Sequence, residues 1–372
     1  MTAPESDLPH RDKLLRPLSS ATDLTDCTHS TLEPDPDLQS DRYEDKSEVQ
    51  SLTPSIFDYV KKYGRTYHGY HPGAYPFPND AHVIITALFH QKNYLAPLKQ
   101  KQKQKRPKWM LDIGCGTGKW CFEMADEFPS CRVEGIDLSP IQPKMSRENV
   151  DFFIDDITRP RWWRCEQPYD YIHTRMSAGI FHDFREIIQK SYNNLNPDGW
   201  MESQEIYSKL YCNDGTMPTD YPLLEWSDTV DEAAMRLGRP LRIANKLKRW
   251  YEQAGFVDVH EEVFPIPVNS WPKDERMKVL GKWFYWNMCA GVHGWSIEYF
   301  VTALGWSPAE VEVFLAHVRT ALADKSVHAY YKVYVVWGRK PRPDEPPSKT
   351  PKPPDWPEPP AEDDVSYTST TC

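Results

Sequence analysis

Between residues 109 and 206, short apolar runs recur at Met110–Ile113, Val133–Ile136, Phe152–Ile154, Tyr169–His173 and Trp200–Ile206. Runs of this length read as strands covered on both faces, and the stretches between them, such as Trp120–Phe128 and Phe184–Leu195, have helical composition. Such alternation predicts βαβ units and an α/β fold with a parallel sheet. After Pro222 the texture changes to longer helical stripes, with helices expected over Leu223–Leu237, Ile243–Ala254, Arg276–Met288 and Ser307–Leu322. Two late strands are expected at Phe256–His260 and Ala329–Trp337. The Trp-rich stretch between them, about 261–328, reads as a helical insert that covers one face of a site.

Upstream, residues 81–98 read as a helix, with Val83, Ile84, Ala87, Leu88 and Leu95 as a stripe. The basic run from Lys99 to Lys108 then reads as a solvated connector into the first strand. Residues 1–45 are rich in Ser, Thr, Asp and Pro, and residues 341–372 in Pro; neither composition buries enough apolar area to offset the entropy of ordering, so disorder is expected in both. The segment 46–108 includes Tyr63, Tyr67, Tyr70, Tyr75 and Phe77 among Gly and Pro, an aromatic-dense loop expected to lie against the domain as a lid. The catalytic domain is then expected over 109–340.

Composition narrows the function. A net charge of -10 and 40% hydrophobic residues describe a globular chain that lacks the basic face needed for direct nucleic-acid contact. No run of about 18 apolar residues suggests a membrane span. The eight cysteines have no CxxC pair or metal-finger spacing, which with the polar opening residues predicts a reduced protein of the cytoplasm or nucleus. Nor does any His/Asp/Glu grouping have the spacing of metal ligands.

The chemistry concentrates where the first strand runs into Asp112-Ile113-Gly114-Cys115-Gly116-Thr117-Gly118 and a helix. Glycines at 114, 116 and 118 permit a tight turn at the carboxyl end of the strand, so a bulky adenosyl ligand approaches where side chains would collide. A second strand ends in Asp137, 19 residues beyond Gly118, where a carboxylate can accept from both ribose hydroxyls. The GxGxG spacing, with an acid two residues ahead, favours a cofactor without a pyrophosphate. A third strand ends in Asp155 and Asp156, with one carboxylate placed to meet an adenine amino group.

These segments, with Gly135-Ile136-Asp137-Leu138-Ser139-Pro140-Ile141-Gln142-Pro143 and Leu195-Asn196-Pro197-Asp198-Gly199-Trp200, resemble class I methyltransferases. The upstream Gly64-Arg65-Thr66-Tyr67-His68-Gly69-Tyr70 and Tyr75-Pro76-Phe77-Pro78-Asn79-Asp80, and the closing run from Lys332 to Pro341, narrow the resemblance to the fungal LaeA-like methyltransferases over about 57–341. The resemblance implies a Rossmann-like seven-stranded, mostly parallel sheet and S-adenosyl-L-methionine as cofactor. It implies that Gly114, Cys115, Gly116 and Gly118 border the methionine and ribose, Asp137 and Leu138 the ribose, and Asp155, Asp156 and Ile157 the adenine. Asp112 would orient the loop near the methionine amino group, and Tyr67, Tyr75 and Asn79 would close over the cofactor.

Methyl transfer from a sulfonium needs mainly alignment and exclusion of water, and a base only when the acceptor is a hydroxyl or acidic nitrogen. The candidates are His173 at the end of the fourth strand, Glu202, Glu205 and His182, with His173 preferred; Trp271, Trp283, Tyr285, Trp286 and Trp295 are candidate walls of an acceptor pocket. Two functions fit: methylation of an oxygen or nitrogen of a small molecule in fungal secondary metabolism, or a LaeA-like nuclear regulator working with velvet-type partner proteins.

Overall fold

The structure, a computed structural model, describes residues 32–33, 61–62, 65–66, 81–99, 106–143, 147–159 and 168–357. Seven strands form one sheet: β1 Trp109–Ile113, β2 Arg132–Asp137, β3 Val150–Ile154, β4 Tyr169–Arg175, β5 Leu195–Tyr211, β6 Val257–Pro267 and β7 Tyr330–Arg339. Their order is β3-β2-β1-β4-β5-β7-β6. The first five pair in parallel and β7 runs antiparallel between β5 and β6. Helices α1 (Ala81–Leu88) and α2 (Lys119–Glu127) belong to the core on one face, and α3 (Phe184–Asn194) and α5 (Leu247–Ala254) to the core on the other.

Three helices, α4 (Pro222–Arg236), α6 (Glu275–Leu304) and α7 (Pro308–Ala323), pack together as a cap beside β5 and β6. Their starts follow local chemistry. Pro222 opens α4, the Asp274 side chain accepts from Met277 N at the start of α6, and Ser307 with Glu310 makes a reciprocal capping box on α7. The expectation that α6 ends near Met288 is corrected: the helix continues through Gly291 and Gly294 to Leu304, because burial of Val292, Trp295, Tyr299 and Phe300 outweighs the helix penalty of two glycines. The insert also starts later than residue 261, since β6 stays paired with β7 as far as Pro267.

The helix expected over 81–98 stops at Leu88, where His90 and Gln91 take positive φ and the chain turns back. That turn delivers the amides of Leu95 and Ala96 to the Glu202 carboxylate on β5, at 2.7–3.0 Å. A second departure lies at the Pro-rich end. Residues 341–357 do not hang free but cross the α3 and α5 face as an extended strap: Ser348 N donates to Gly255 O, Gln253 Nε2 to Pro351 O, and Arg185 pairs with Asp355. Proline prevents a helix here without preventing packing, and the one large side chain, Trp356, is buried with its indole N–H donating to Gln189 Oε1 at 2.9 Å. Of the N-terminal tail only Leu32 and Glu33 are described; Leu32 packs on the core and Glu33 O accepts from Lys273 N at 2.8 Å.

Trp356→Ala is expected to lower stability by about 2–4 kcal/mol, the scale for truncating a buried aromatic, measured by urea denaturation of the full chain. A change within error would mean that the strap contributes nothing to the fold.

Candidate functional site

The glycine loop sits at the carboxyl ends of the parallel strands, where open α/β sheets bind ligands. Gly114, Gly116 and Gly118 all have left-handed φ, between 55° and 74°. A Cβ on Gly118 would lie 2.2 Å from the Phe152 ring, whereas one on Gly116 would meet nothing within 4 Å among the described residues. The loop is therefore packed against the sheet at one glycine and open at the other. Helix α2 follows Gly118 with no side-chain cap on its first amides.

Asp137, at the end of β2, fixes this loop. Its Oδ2 accepts from Gly116 N at 2.8 Å and its Oδ1 from Ser139 N at 2.9 Å. Leu138 beside it is half-buried. At the end of β3, Asp155 accepts from Asp156 N and pairs with Arg159, and Asp156 caps the next turn through Thr158 N and Oγ1. Ile157 is buried in the core of the α3 and α5 face. Cys115 turns its side chain inward, with Sγ near Gln142, so only its backbone lies along the loop's open side. Tyr67, Tyr75 and Asn79 lie outside the described residues.

Asp112 acts from beneath the loop. It is buried, its Oδ1 bonds to His173 Nδ1 at 2.8 Å, and Cys121 Sγ lies 3.6 Å from Oδ2. His173, the preferred base, thus has its Nδ1 on Asp112 and its Nε2 without a partner among the described residues. Its ring is fully buried and stacks on Trp120 of α2 with centroids 4.2 Å apart and an interplanar angle of 1°. Side chains on a strand alternate between faces, and residue 173 falls on the α2 face. Glu202 is likewise committed, to Leu95 N, Ala96 N and Gln204 Nε2, and His182 to Gly238 O.

Glu205 has another environment. It is fully buried on β5, its Oε2 accepts from Ser177 N at 2.7 Å and Ala178 N at 2.9 Å, and its Oε1 has no partner among the described residues. Burial pushes its carboxyl up to about 7, against the lowering effect of the two amides. The two amides are presented by a sharp turn at Met176, a non-glycine residue with φ 55°.

Glu205 is also the single acid lining a pocket between β5, the turn after β4 and the helical cap, whose walls include Trp226, Phe284, Met288, Trp295 and Tyr299. The pocket is open to solvent on one side and has a cavity volume of about 90 Å³. Ser177 joins the two halves of the site: its Oγ lies 3.8 Å from where a Cβ on Gly114 would be, and its amide holds Glu205. Of the five aromatics expected as walls only Trp295 lines the pocket. Trp271 is buried with its indole N–H on Ala329 O, and Trp283 and Trp286 face outward on α6. Trp226, Phe284 and Tyr299 were not singled out in the sequence, where nothing separates them from ordinary core aromatics.

A methyltransferase-domain model matches residues 82–261. The methyltransferase pytC of Aspergillus terreus is 37% identical over 315 residues, covering 82% of this chain and 95% of its own. The chain belongs to the fungal LaeA-like class I methyltransferases. The secondary metabolism regulator LAE1 of Cochliobolus heterostrophus is 31% identical over 75% of this chain and 94% of its own. The probable methyltransferase tdiE of Emericella nidulans is 29% identical over 79% and 92%. Among solved structures, phosphoethanolamine N-methyltransferase 2 of Haemonchus contortus aligns at 18% identity and a TM-score of 0.39 over 71% of this chain and 58% of that one. S-adenosylmethionine is the methyl donor of this LaeA-like family, and the residues fit it: among the described residues the open side of Gly116 leaves the room a ligand needs, with the Asp137 carboxylate holding the loop beside it.

Two predictions follow the buried acids. His173→Ala strips the Asp112 carboxylate of its partner in a closed site and is expected to destabilise by about 2–4 kcal/mol, read by thermal and urea denaturation; a loss under 0.5 kcal/mol would separate the pair from the fold. Glu205 holds a proton when folded until about pH 7, while the unfolded chain releases it near 4.5. It therefore opposes folding increasingly as pH rises from 4.5 to 7, by on the order of 3 kcal/mol in full. Glu205→Gln should remove that decline, so the variant gains on wild type between pH 5 and pH 8; parallel stability curves would contradict it.

Proposed function

We propose that this chain transfers a methyl group from S-adenosylmethionine to an oxygen or nitrogen of a small, mainly apolar molecule of fungal secondary metabolism. The observation that carries the reading is the mainly apolar pocket lined by one acid, Glu205, and joined to the glycine loop through Ser177. The names of pytC and tdiE as methyltransferases favour it.

In this reading Gly114, Gly116 and Gly118 with the Cys115 backbone border the methionine and ribose, Asp137 and Leu138 hold the ribose, and Asp155, Asp156 and Ile157 border the adenine. The bound sulfonium supplies an electrophilic methyl group and leaves as a neutral thioether. The chain's own contribution is then geometric. Asp137 holds the loop through Gly116 N, Asp112 and His173 brace it from below, and the aromatic walls exclude water from the acceptor. His173 serves as a brace for Asp112 and not as the base.

A second reading has its own observation. On α6, Val279, Trp283 and Trp286 are 44%, 42% and 50% exposed and recur at helical spacing, an outward apolar stripe of the kind that meets a protein partner. A regulator of secondary metabolism, nuclear and bound to velvet-type proteins, would use such a surface.

Calorimetric titration of the purified chain with S-adenosylmethionine should give saturable binding, and Asp137→Ala should weaken it by about tenfold or more, since both an acceptor for ribose and the anchor of Gly116 are lost. Labelled methyl groups should then appear in a small organic product of a fungal extract. Label confined to protein would favour the regulator, and absence of binding would end the methyltransferase reading.

A further inference from the structure

β5 brings two fully buried acids into the molecule, and they differ in one respect. The Glu202 oxygens are both engaged by donors, whereas Glu205 takes two amides on Oε2 and leaves Oε1 bare. A buried carboxylate oxygen without a donor is unfavourable and uncommon in structures, so it calls for an explanation. Bracing the turn at Met176 accounts for Oε2 alone. Oε1 remains, in a residue that lines a mainly apolar pocket whose other polar side chains include Ser208 and Asn287.

We infer that Glu205 receives the proton of the acceptor's attacking group, and that the pocket selects flat aromatic molecules bearing one weakly acidic O–H or N–H. This rests on the methyltransferase reading above. Rings dominate the walls, with Trp226, Phe284, Trp295, Tyr299 and Tyr331 facing a space that offers a flat ligand stacking and edge contacts. In the balanced step the acceptor's heteroatom exchanges its proton for the methyl group: the new C–O or C–N bond forms as the donor's S–C bond breaks, and the proton goes to Oε1. Glu205 later returns that proton to water. A carboxyl raised to about 7 is matched to this task, because a base works best when its acidity constant lies near the working pH.

The neighbours leave this titration to Glu205. The ionisable side chains around it are phenols, Tyr251 from α5 and Tyr299 and Tyr331 from the pocket wall, all pushed up by burial. Arg239 acts on Tyr299, and Arg242 with Asp228 on Tyr331. Glu205 itself responds to its burial and to the amides of Ser177 and Ala178.

The same amides make the test selective. In Glu205→Gln the side-chain carbonyl must face the Ser177 and Ala178 N–H groups, which turns the amide NH₂ toward the pocket. An acceptor of protons becomes a donor with the shape unchanged. The probes are 2-naphthol and its methyl ether, 2-methoxynaphthalene, titrated by fluorescence into full-length protein at pH 8 and pH 5.5.

Wild type at pH 8 should bind the naphthol about tenfold tighter than the ether. That preference should shrink at pH 5.5, where Oε1 is protonated, and should vanish or invert in the variant at both pH values. The same preference in both proteins, or no naphthol binding to wild type, overturns the inference. Calorimetry with S-adenosylmethionine on both proteins keeps the two levels apart. Loss of donor binding in wild type removes the methyltransferase reading itself, whereas equal donor binding with an unaltered naphthol preference removes only the role of Glu205.

Discussion

A single buried polar pair holds the two halves of the site in register. Asp112 and His173 stand opposite one another on β1 and β4, and their hydrogen bond lies in a part of the sheet that water does not reach. In such surroundings a charged group left alone is costly, so each residue fixes the other. Trp120 lies flat on His173, which seats the first turn of α2 and with it the end of the glycine loop. The same level of the sheet continues into Glu202, opposite His173 on β5. Through Leu95 N and Ala96 N that acid fastens the segment before β1. Two residues on, Arg175 binds His82, Asn93 O and Gln204 and joins α1 to the same network. That network lies on the α1 and α2 face, the side whose core also includes the pocket's Trp226, Phe284, Met288, Trp295 and Tyr299.

On the opposite face lies a second polar network. There Thr174, Ser203 and Tyr251 form a closed chain of hydroxyls, and beyond them Glu205 takes the amides of the turn at Met176. A left-handed non-glycine residue costs roughly 1–2 kcal/mol, and two hydrogen bonds to a buried carboxylate, at about 1.5–3 kcal/mol each, are enough to hold it. One acid therefore both shapes the turn between cofactor loop and pocket and offers an oxygen to whatever enters.

This arrangement explains what the sequence could and could not tell. The glycine loop, the acid of β2 and the order of elements are local properties: a left-handed φ needs glycine, and a buried strand needs an apolar run, wherever the rest of the chain lies. The position of His173 at a strand end was also legible, but not which face it takes, because alternation fixes faces only relative to one another. The decisive information is the partner, Trp120, fifty-three residues earlier and on another element. Glu205 stood out no more than Glu202 for the same reason. Composition misjudged residues 341–357, since it averages over a Pro-rich stretch whose packing depends on the single side chain of Trp356. It also gave equal weight to five aromatics of the insert, of which the helix turns Trp295 inward and Trp283 and Trp286 outward.

Helix α6 presents Phe284, Asn287, Met288 and Trp295 to the pocket and Val279, Trp283 and Trp286 to the outside. The enzymatic and the regulatory reading therefore use two sides of one rigid element and do not exclude each other. Linkage sets the terms on which they combine. A partner on the outer stripe that changes acceptor affinity by some factor has its own affinity changed by the same factor when acceptor binds. Without a difference in contacts between the two states of the helix, however, neither ligand shifts the other. Gly281 bears on which case applies: a Cβ there would lie 2.0 Å from Asn269 O, so the amino-terminal half of α6 is seated against the backbone that follows β6 with no slack. A helix seated that closely passes strain on to its neighbours instead of absorbing it, and at its carboxyl half Tyr299 meets the turn that holds Glu205 through Gly179.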